Sequence, residues 1–216
     1  MDTVLQEESY ISLHYNDISE IDGFVRILDN ILSQDECTEI IRIAEEKGFV
    51  PASLYTDKDG VEHFSETRKS HRCIIDSEEF AARLWKRLQP FIPVKWVRGE
   101  TAVGINPRLR LLRYDPGDEF KPHSDGSFTD QQGNTSKITI LIYLNDGYEN
   151  GYTAFLSNDS ATWISILPKP GRIAMQDQTL LHCVPPLTRG RKYAMRTEVM
   201  YSVETLEFDC KVVNLT

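Results

Sequence analysis

Lys137-Ile138-Thr139-Ile140-Leu141-Ile142-Tyr143-Leu144 is the strongest β-strand signal in the chain. Ile138, Ile140, Ile142 and Leu144 face one way, and Thr139, Leu141 and Tyr143 the other. Apolar residues on both faces imply a strand covered on both sides. Working outward, 108–115, 153–156, 163–167, 172–175 and 191–203 read as further strands. Asp115-Pro116-Gly117-Asp118 and Pro168-Lys169-Pro170-Gly171 are turn sequences between them. Many short strands with frequent turn signals predict a jelly roll, that is, a double-stranded β-helix.

Upstream the pattern is different. Residues 1–20 are polar and acidic, an arm or a first irregular strand, and 24–28 alternates as a strand. Ser33-Gln34-Asp35-Glu36 fits a capping box, with Ser33 as N-cap and Glu36 at the third helical position. It predicts a helix over 34–47 with Ile40, Ile41 and Ala44 on its core face and Gly48 just past its end. Asp76-Ser77-Glu78-Glu79 opens a second helix, in which Phe80, Leu84, Trp85 and Leu88 recur until Pro90 stops the run. Residues 51–73 are polar and aperiodic, a loop over a site or a plain surface loop. The fold class is therefore α+β, mainly β: a jelly-roll core over roughly 100–205 backed by helices within roughly 33–90. With no repeat, low-complexity tract or linker, one domain spanning 1–216 is expected.

Composition narrows the function. The chain has 216 residues, 40% hydrophobic and 26% charged, with a net charge of −9. Its longest basic patch is the short 189–192 run, so a nucleic-acid partner is not expected. The acidic start has no long apolar run, so neither a signal peptide nor a membrane anchor is expected, and the expected location is cytoplasmic or nuclear. Cys37, Cys73, Cys183 and Cys210 show no CxxC spacing and read as reduced thiols.

The chemistry centres on Lys121-Pro122-His123-Ser124-Asp125-Gly126. On an extended segment His123 and Asp125 point the same way. A lone His-x-Asp is more often solvated loop polarity, but His182 supplies a third donor if its strand folds back beside them. Two imidazoles and one carboxylate can hold one face of an octahedral Fe(II) and leave three positions open. Lys192 and Arg196, four apart on one strand, project to the same face and could pair with an anion. Arg196 could equally pair with Glu198 or Asp177. Arg110 shares a face with Tyr114 and reads as a pocket-mouth residue or a rim ion pair. Cys183, beside His182, reads as a small packing residue.

In order and spacing these parts resemble the Fe(II)/2-oxoglutarate-dependent dioxygenase superfamily, specifically its prolyl-4-hydroxylase-like branch. The resemblance runs over roughly 106–201. It rests on Tyr114-x-Pro-Gly, His123-x-Asp125, Tyr143-Leu144-Asn145, Gly151-x-Thr153-x-Phe155, Pro168-x-x-Gly171, the distal His182 and Gly190-x-Lys192-Tyr193. Two positions depart from it. Asn150 stands where the family often has glycine, and Met175 where a bulky Phe is common, so both bear on pocket shape.

The resemblance implies His123, Asp125 and His182 as iron ligands. It implies Lys192 as the partner of the distal carboxylate of 2-oxoglutarate, with Arg196 second, and Tyr143 and Tyr114 beside the same co-substrate. Arg110 and Tyr152 are expected toward the substrate, with Trp163 and the basic 68–72 cluster near the mouth. Fe(II) is the implied cofactor, with 2-oxoglutarate and O2 as co-substrates and ascorbate as an accessory. The implied reaction hydroxylates an unactivated C–H bond while 2-oxoglutarate becomes succinate and CO2. The carbon belongs to a prolyl residue or other amino-acid side chain of a peptide, or alternatively to a free amino acid or small metabolite. A non-catalytic jelly-roll binding module and a cupin-like metalloenzyme are the competing classes.

Overall fold

A computed structural model of the protein describes Met1 and residues 15–56 and 59–202. An irregular strand within 1–20 is present as Tyr15–Asp17. Residues 2–14, with His14, and Cys210 lie outside the described residues.

Among the described residues the large sheet has nine antiparallel strands. Its order is Tyr15–Asp17, Val25–Leu28, Ile173–Asp177, Thr135–Tyr143, Lys192–Ser202, Arg108–Tyr114, His71–Asp76 and Val50–Pro51, and Thr101–Ile105 also pairs with the 192–202 strand. The 135–143 strand is central, between 173–177 and 192–202. Register fixes what each face carries. Thr139 lies opposite Gln176 and Glu198, and Leu141 opposite Ala174 and Arg196. Ala194 lies opposite both Tyr143 and Leu112, Lys192 opposite Tyr114, and Arg196 opposite Arg110. Cross-strand partners share a face, so all these side chains line one side of the sheet.

The other side packs on helices. Ile138, Ile140, Ile142, Leu109, Leu111, Met195 and Val199 form one core with Cys37, Ile40, Ala44, Phe80, Leu84 and Leu88. Each such fully buried Ile or Leu contributes roughly 1.5–3 kcal/mol over an exposed one. Helix α1, Gln34–Lys47, starts on the expected capping box: Glu36 N–H donates to Ser33 Oγ at 3.1 Å, and Ser33 N–H to Glu36 Oε2 at 2.7 Å. Glu36 also accepts from Arg87 at 2.7 Å, which ties α1 to α2, Glu78–Leu88. Helix α2 is capped by Ser77, because Asp76 ends the preceding strand and pairs with Arg108. Pro90 does not end the run outright. It sits in the first turn of a 3-10 helix, Gln89–Phe91, where its missing N–H is not needed.

Residues 51–73 are not a structureless loop. They hold Tyr55–Thr56, Glu62–His63 and Arg68–Lys69, and the start of His71–Asp76. Two-residue pairings are too short to leave a period in the sequence, and the 71–76 strand opens on polar residues. Gly171 joins the α1 entry to the sheet. Its φ is +77°, and a Cβ there would stand 2.0 Å from Leu32 O. Only glycine fits.

A second, five-stranded sheet runs Trp163–Ile166, Thr153–Leu156, His182–Val184, Glu119–His123 and Arg68–Lys69. Its Phe155, Ile166 and Val184 pack against Leu141, Tyr143, Ala174 and Ala194 of the large sheet. The two layers make the jelly roll, and the candidate site lies between them. Among the described residues no helix is long and apolar enough to cross a membrane.

Candidate active site

His123 ends the 119–123 strand and pairs across the ladder with His182, which opens the 182–184 strand. The register slips between Phe120 and His123, a local bulge that re-aims the chain. The two imidazole rings end 4.2 Å apart, centroid to centroid. Two residues on, Asp125 N–H donates to Gln178 O at 2.8 Å, and its carboxylate Oδ2 lies 3.9 Å from His182 Nε2. One donor atom each from His123, Asp125 and His182 fall within 4.8 Å of one another.

The rings are oriented from behind. His123 Nδ1 lies 2.8 Å from Lys121 O, and His182 Nδ1 lies 3.0 Å from Leu180 O. An N–H donated to each carbonyl leaves both Nε2 lone pairs for a metal. Burial, with His182 beside it, pushes the His123 pKa down to about 4, so this imidazole is neutral at pH 7. Burial alone would raise the Asp125 pKa. Arg196, His182 and the Thr139 hydroxyl outweigh it and hold the carboxylate below its ordinary range. Two imidazoles and an ionised carboxylate, gathered on one side of a gap, suit Fe(II).

Lys192, 1% exposed, lines the same cavity four residues along the 192–202 strand from Arg196. Its ammonium donates to Gly151 O at 2.8 Å and lies 5.1 Å from the Tyr114 ring and 5.9 Å from the Tyr143 ring. Asn150 and Gly151 have φ of +60° and +64°, and that turn carries the Gly151 carbonyl. Asn tolerates the left-handed conformation, which explains how it replaces a glycine there. Lys192 has no carboxylate within 4.0 Å among the described residues, and burial pushes its pKa down to about 7. Among the described residues Tyr143 Oη and Thr153 Oγ1 are buried nearby with no hydrogen-bond partner beyond each other. A buried cation and two hydroxyls with no other partner suit one end of a small anion.

Residues 109–197, which include the three clustered donors and Lys192, match the family model described as 2OG-Fe(II) oxygenase superfamily. Over these residues the chain is similar to 2OG-Fe(II) oxygenases, and the relatives it matches are prolyl 4-hydroxylases. Probable prolyl 4-hydroxylase 3 and prolyl 4-hydroxylase 5 of Arabidopsis thaliana are each 24% identical to the chain over 197 residues. Those alignments cover 78% of this chain and 66% and 65% of theirs, so the chain spans just under two thirds of their length. Among solved structures, a Pseudomonas putida prolyl-4-hydroxylase superposes with a TM-score of 0.60 at 16% identity, covering 82% of this chain and 93% of the other. The viral collagen prolyl hydroxylase of Paramecium Bursaria Chlorella virus-1, in its 2OG complex, gives a TM-score of 0.57 at 21% identity and covers 82% and 96%. At these identities the structural likeness is one of fold.

Tyr114 and Arg196 line the cavity with the donors, and Tyr143 backs Lys192. Arg196 is not free for an incoming anion, since its Nη2 lies 3.3 Å from Asp125 Oδ1 and 3.4 Å from Glu198 Oε1. Arg110 lies outside the cavity lining and donates to both Glu198 oxygens, at 2.8 and 3.0 Å. Tyr152 also lies outside it, with its ring 6.0 Å from Tyr148. Met175 is buried in the helix-side core, so that departure does not reach the pocket.

Three cavity residues went unread in the sequence. Thr139 donates to Asp125 Oδ2 at 2.6 Å, the Gln176 amide nitrogen lies 3.4 Å from His182 Nε2, and the Phe120 ring stacks 3.4 Å from the His123 ring. Thr139 and Gln176 carried a faint signal, polar residues inside otherwise apolar strands. Arg68, from the basic 68–72 cluster, sits 4.9 Å over Phe120 and donates to Ser53 O at 3.2 Å and Ser70 Oγ at 3.3 Å. It has no carboxylate within 4.0 Å among the described residues. His71, Asp115 and Asp118 form a second compact cluster, but Arg191 at 2.6 Å and Arg113 at 3.3 Å already pair Asp115, which makes it an ion-pair group.

Proposed function

We propose that the chain is an Fe(II)- and 2-oxoglutarate-dependent hydroxylase acting on a C–H bond of a prolyl residue or other amino-acid side chain in a peptide. One observation carries the reading. Two imidazoles and a carboxylate converge in a cavity that is also lined by a fully buried lysine with no acidic partner among the described residues. His123, Asp125 and His182 would hold the metal. Fe(II) bound there would supply activation of O2, with 2-oxoglutarate giving up two electrons as it becomes succinate and CO2.

The chain's own residues do the rest. Lys192 receives the distal carboxylate, while the Tyr143 and Thr153 hydroxyls gain a partner beyond each other. Lys121 O and Leu180 O hold the imidazoles in one tautomer and orientation. Phe120, Leu141 and Val184 also line the cavity and exclude water. The test is a coupled assay of succinate formation on proline-containing peptides, with and without Fe(II), 2-oxoglutarate and ascorbate. Peptide hydroxylation that needs both Fe(II) and 2-oxoglutarate supports the reading, and its absence across a broad panel removes the peptide assignment.

Arg68 favours a second reading of the substrate. An arginine facing the cavity without a carboxylate partner is suited to a carboxylate on the substrate. That fits a free amino acid or small carboxylic acid. Running free amino acids beside their peptides separates the two.

A further inference from the structure

Arg110, Arg196 and Glu198 on the cavity face of the large sheet, with Asp125 facing them, are four charged groups whose arrangement neither stability nor co-substrate binding explains. Arg110 and Arg196 stand directly opposite each other on neighbouring strands, a like-charge pair that is unfavourable alone. Glu198, 1% exposed, serves both. It accepts from Arg110 at 2.8 and 3.0 Å and lies 3.4 Å from Arg196. Asn106 fixes Glu198 further: its Nδ2 donates to Glu198 Oε2 at 2.9 Å, and its own carbonyl accepts from Thr197 Oγ1 at 2.6 Å. The chain of contacts ends on Asp125, where Arg196 Nη2 lies 3.3 Å from Oδ1. Two cations and two carboxylates balance, and buried ion networks are weak evidence of a stabilising role.

The two oxygens of Asp125 are treated differently. Oδ1 faces Arg196, whereas Oδ2 takes the Thr139 hydroxyl at 2.6 Å and is the oxygen 3.9 Å from His182 Nε2. Oδ2 keeps a second lone pair on the side of the imidazoles. A free carboxylate can grip a metal with one oxygen or two, and the second grip would fill a position needed by co-substrate or oxygen.

We propose that Arg196, held by Glu198 with Arg110 and Asn106 behind it, pins Oδ1 so that Asp125 would give a metal Oδ2 alone and keep three coordination positions open. Arg196 and Glu198 are then positioning residues that act through Asp125. This rests on the metal-site reading above. It also explains why Lys192, and not Arg196, is left to bind the distal carboxylate.

Mn(II) tests it, because water-proton relaxation by bound Mn(II) counts the waters on the metal. In Mn(II)-loaded protein the wild type keeps three open positions. Arg196→Met should lose one, so bound-metal relaxivity falls by about a third while Mn(II) binds at least as tightly. Affinity for 2-oxoglutarate should fall at least tenfold. Glu198→Gln should move both readouts in the same direction, and the double variant should match Arg196→Met alone, since Glu198 acts through Arg196. Should Arg196→Met lose its thermal transition, Arg196→Gln, which can reach only one carboxylate, must show the same fall. Wild-type relaxivity in the folded Arg196 variant, or a Glu198→Gln effect that adds in full to it, overturns the clamp alone. Failure of the wild type to bind Mn(II) overturns the metal site and the clamp together.

Discussion

Raising the pH from about 7 to about 9 should weaken 2-oxoglutarate binding through Lys192. The residue is 1% exposed, and its only hydrogen-bond acceptor among the described residues is the Gly151 carbonyl. Burial pulls its pKa from 10.5 to about 7, so the free site loses its cation as pH rises above 7. A bound carboxylate restores the proton, because an opposite charge within a few ångströms favours the ammonium. Binding above pH 7 therefore takes up one proton, and the apparent Kd rises about tenfold per pH unit until the pKa of the bound state is reached. Between pH 7 and 9 this amounts to roughly 50-fold, or about 2.3 kcal/mol. Folding stability of the ligand-free protein should move the other way. The unfolded chain holds the lysine proton up to 10.5 and the folded one only up to about 7, so this group makes the protein more stable as pH rises through that window. The assay is anaerobic calorimetric titration of 2-oxoglutarate into Mn(II)-loaded protein at several pH values, beside Lys192→Met, which should bind weakly with no such slope. A wild-type Kd that changes less than threefold from pH 7 to 9, or an equal slope in Lys192→Met, would show that Lys192 is not the titrating anchor.

Gly171→Ala should destabilise the fold by about 3 kcal/mol or abolish folding, because its Cβ would meet Leu32 O at 2.0 Å with φ at +77°; a thermal midpoint within 3 °C of wild type contradicts this. Ser33→Ala should cost about 1 kcal/mol in denaturant unfolding, since it removes the hydroxyl that accepts the Glu36 N–H and half of the capping box. An unchanged midpoint would mean that the Glu36–Arg87 pair alone holds the helix start. Arg68→Met should raise substrate KM tenfold or more and change 2-oxoglutarate binding far less, because Arg68 sits over Phe120 beside His123, whereas Lys192 is held at the Gly151 carbonyl. Steady-state kinetics and the calorimetric titration separate the two effects.

The layered core was legible because burial on both faces leaves a mark: Ile138, Ile140 and Ile142 face the helices, and Leu141 and Tyr143 face the cavity. The capping box of α1 was equally legible, since its signal is local in sequence. His123 and Asp125 could be paired from spacing alone, while His182 needed the distal strand to fold back, which the ladder between 119–123 and 182–184 accomplishes. What the sequence hid depends on register. Face parity put Arg110 and Arg196 on the pocket side, but it could not say that Glu198, two residues beyond Arg196, would take both guanidinium groups. Arg68 stayed indistinct because its strand is two residues long and leaves no period to read.

The most direct test is to titrate anaerobic apo-protein with Fe(II) and 2-oxoglutarate and record the weak visible charge-transfer absorption of an iron-chelated keto acid. The band is expected in wild type, with its loss in His182→Ala and its weakening in Lys192→Met. No band from folded, Fe(II)-treated wild type, or an undiminished band in His182→Ala, would contradict the assignment of His123, Asp125 and His182 as the metal site.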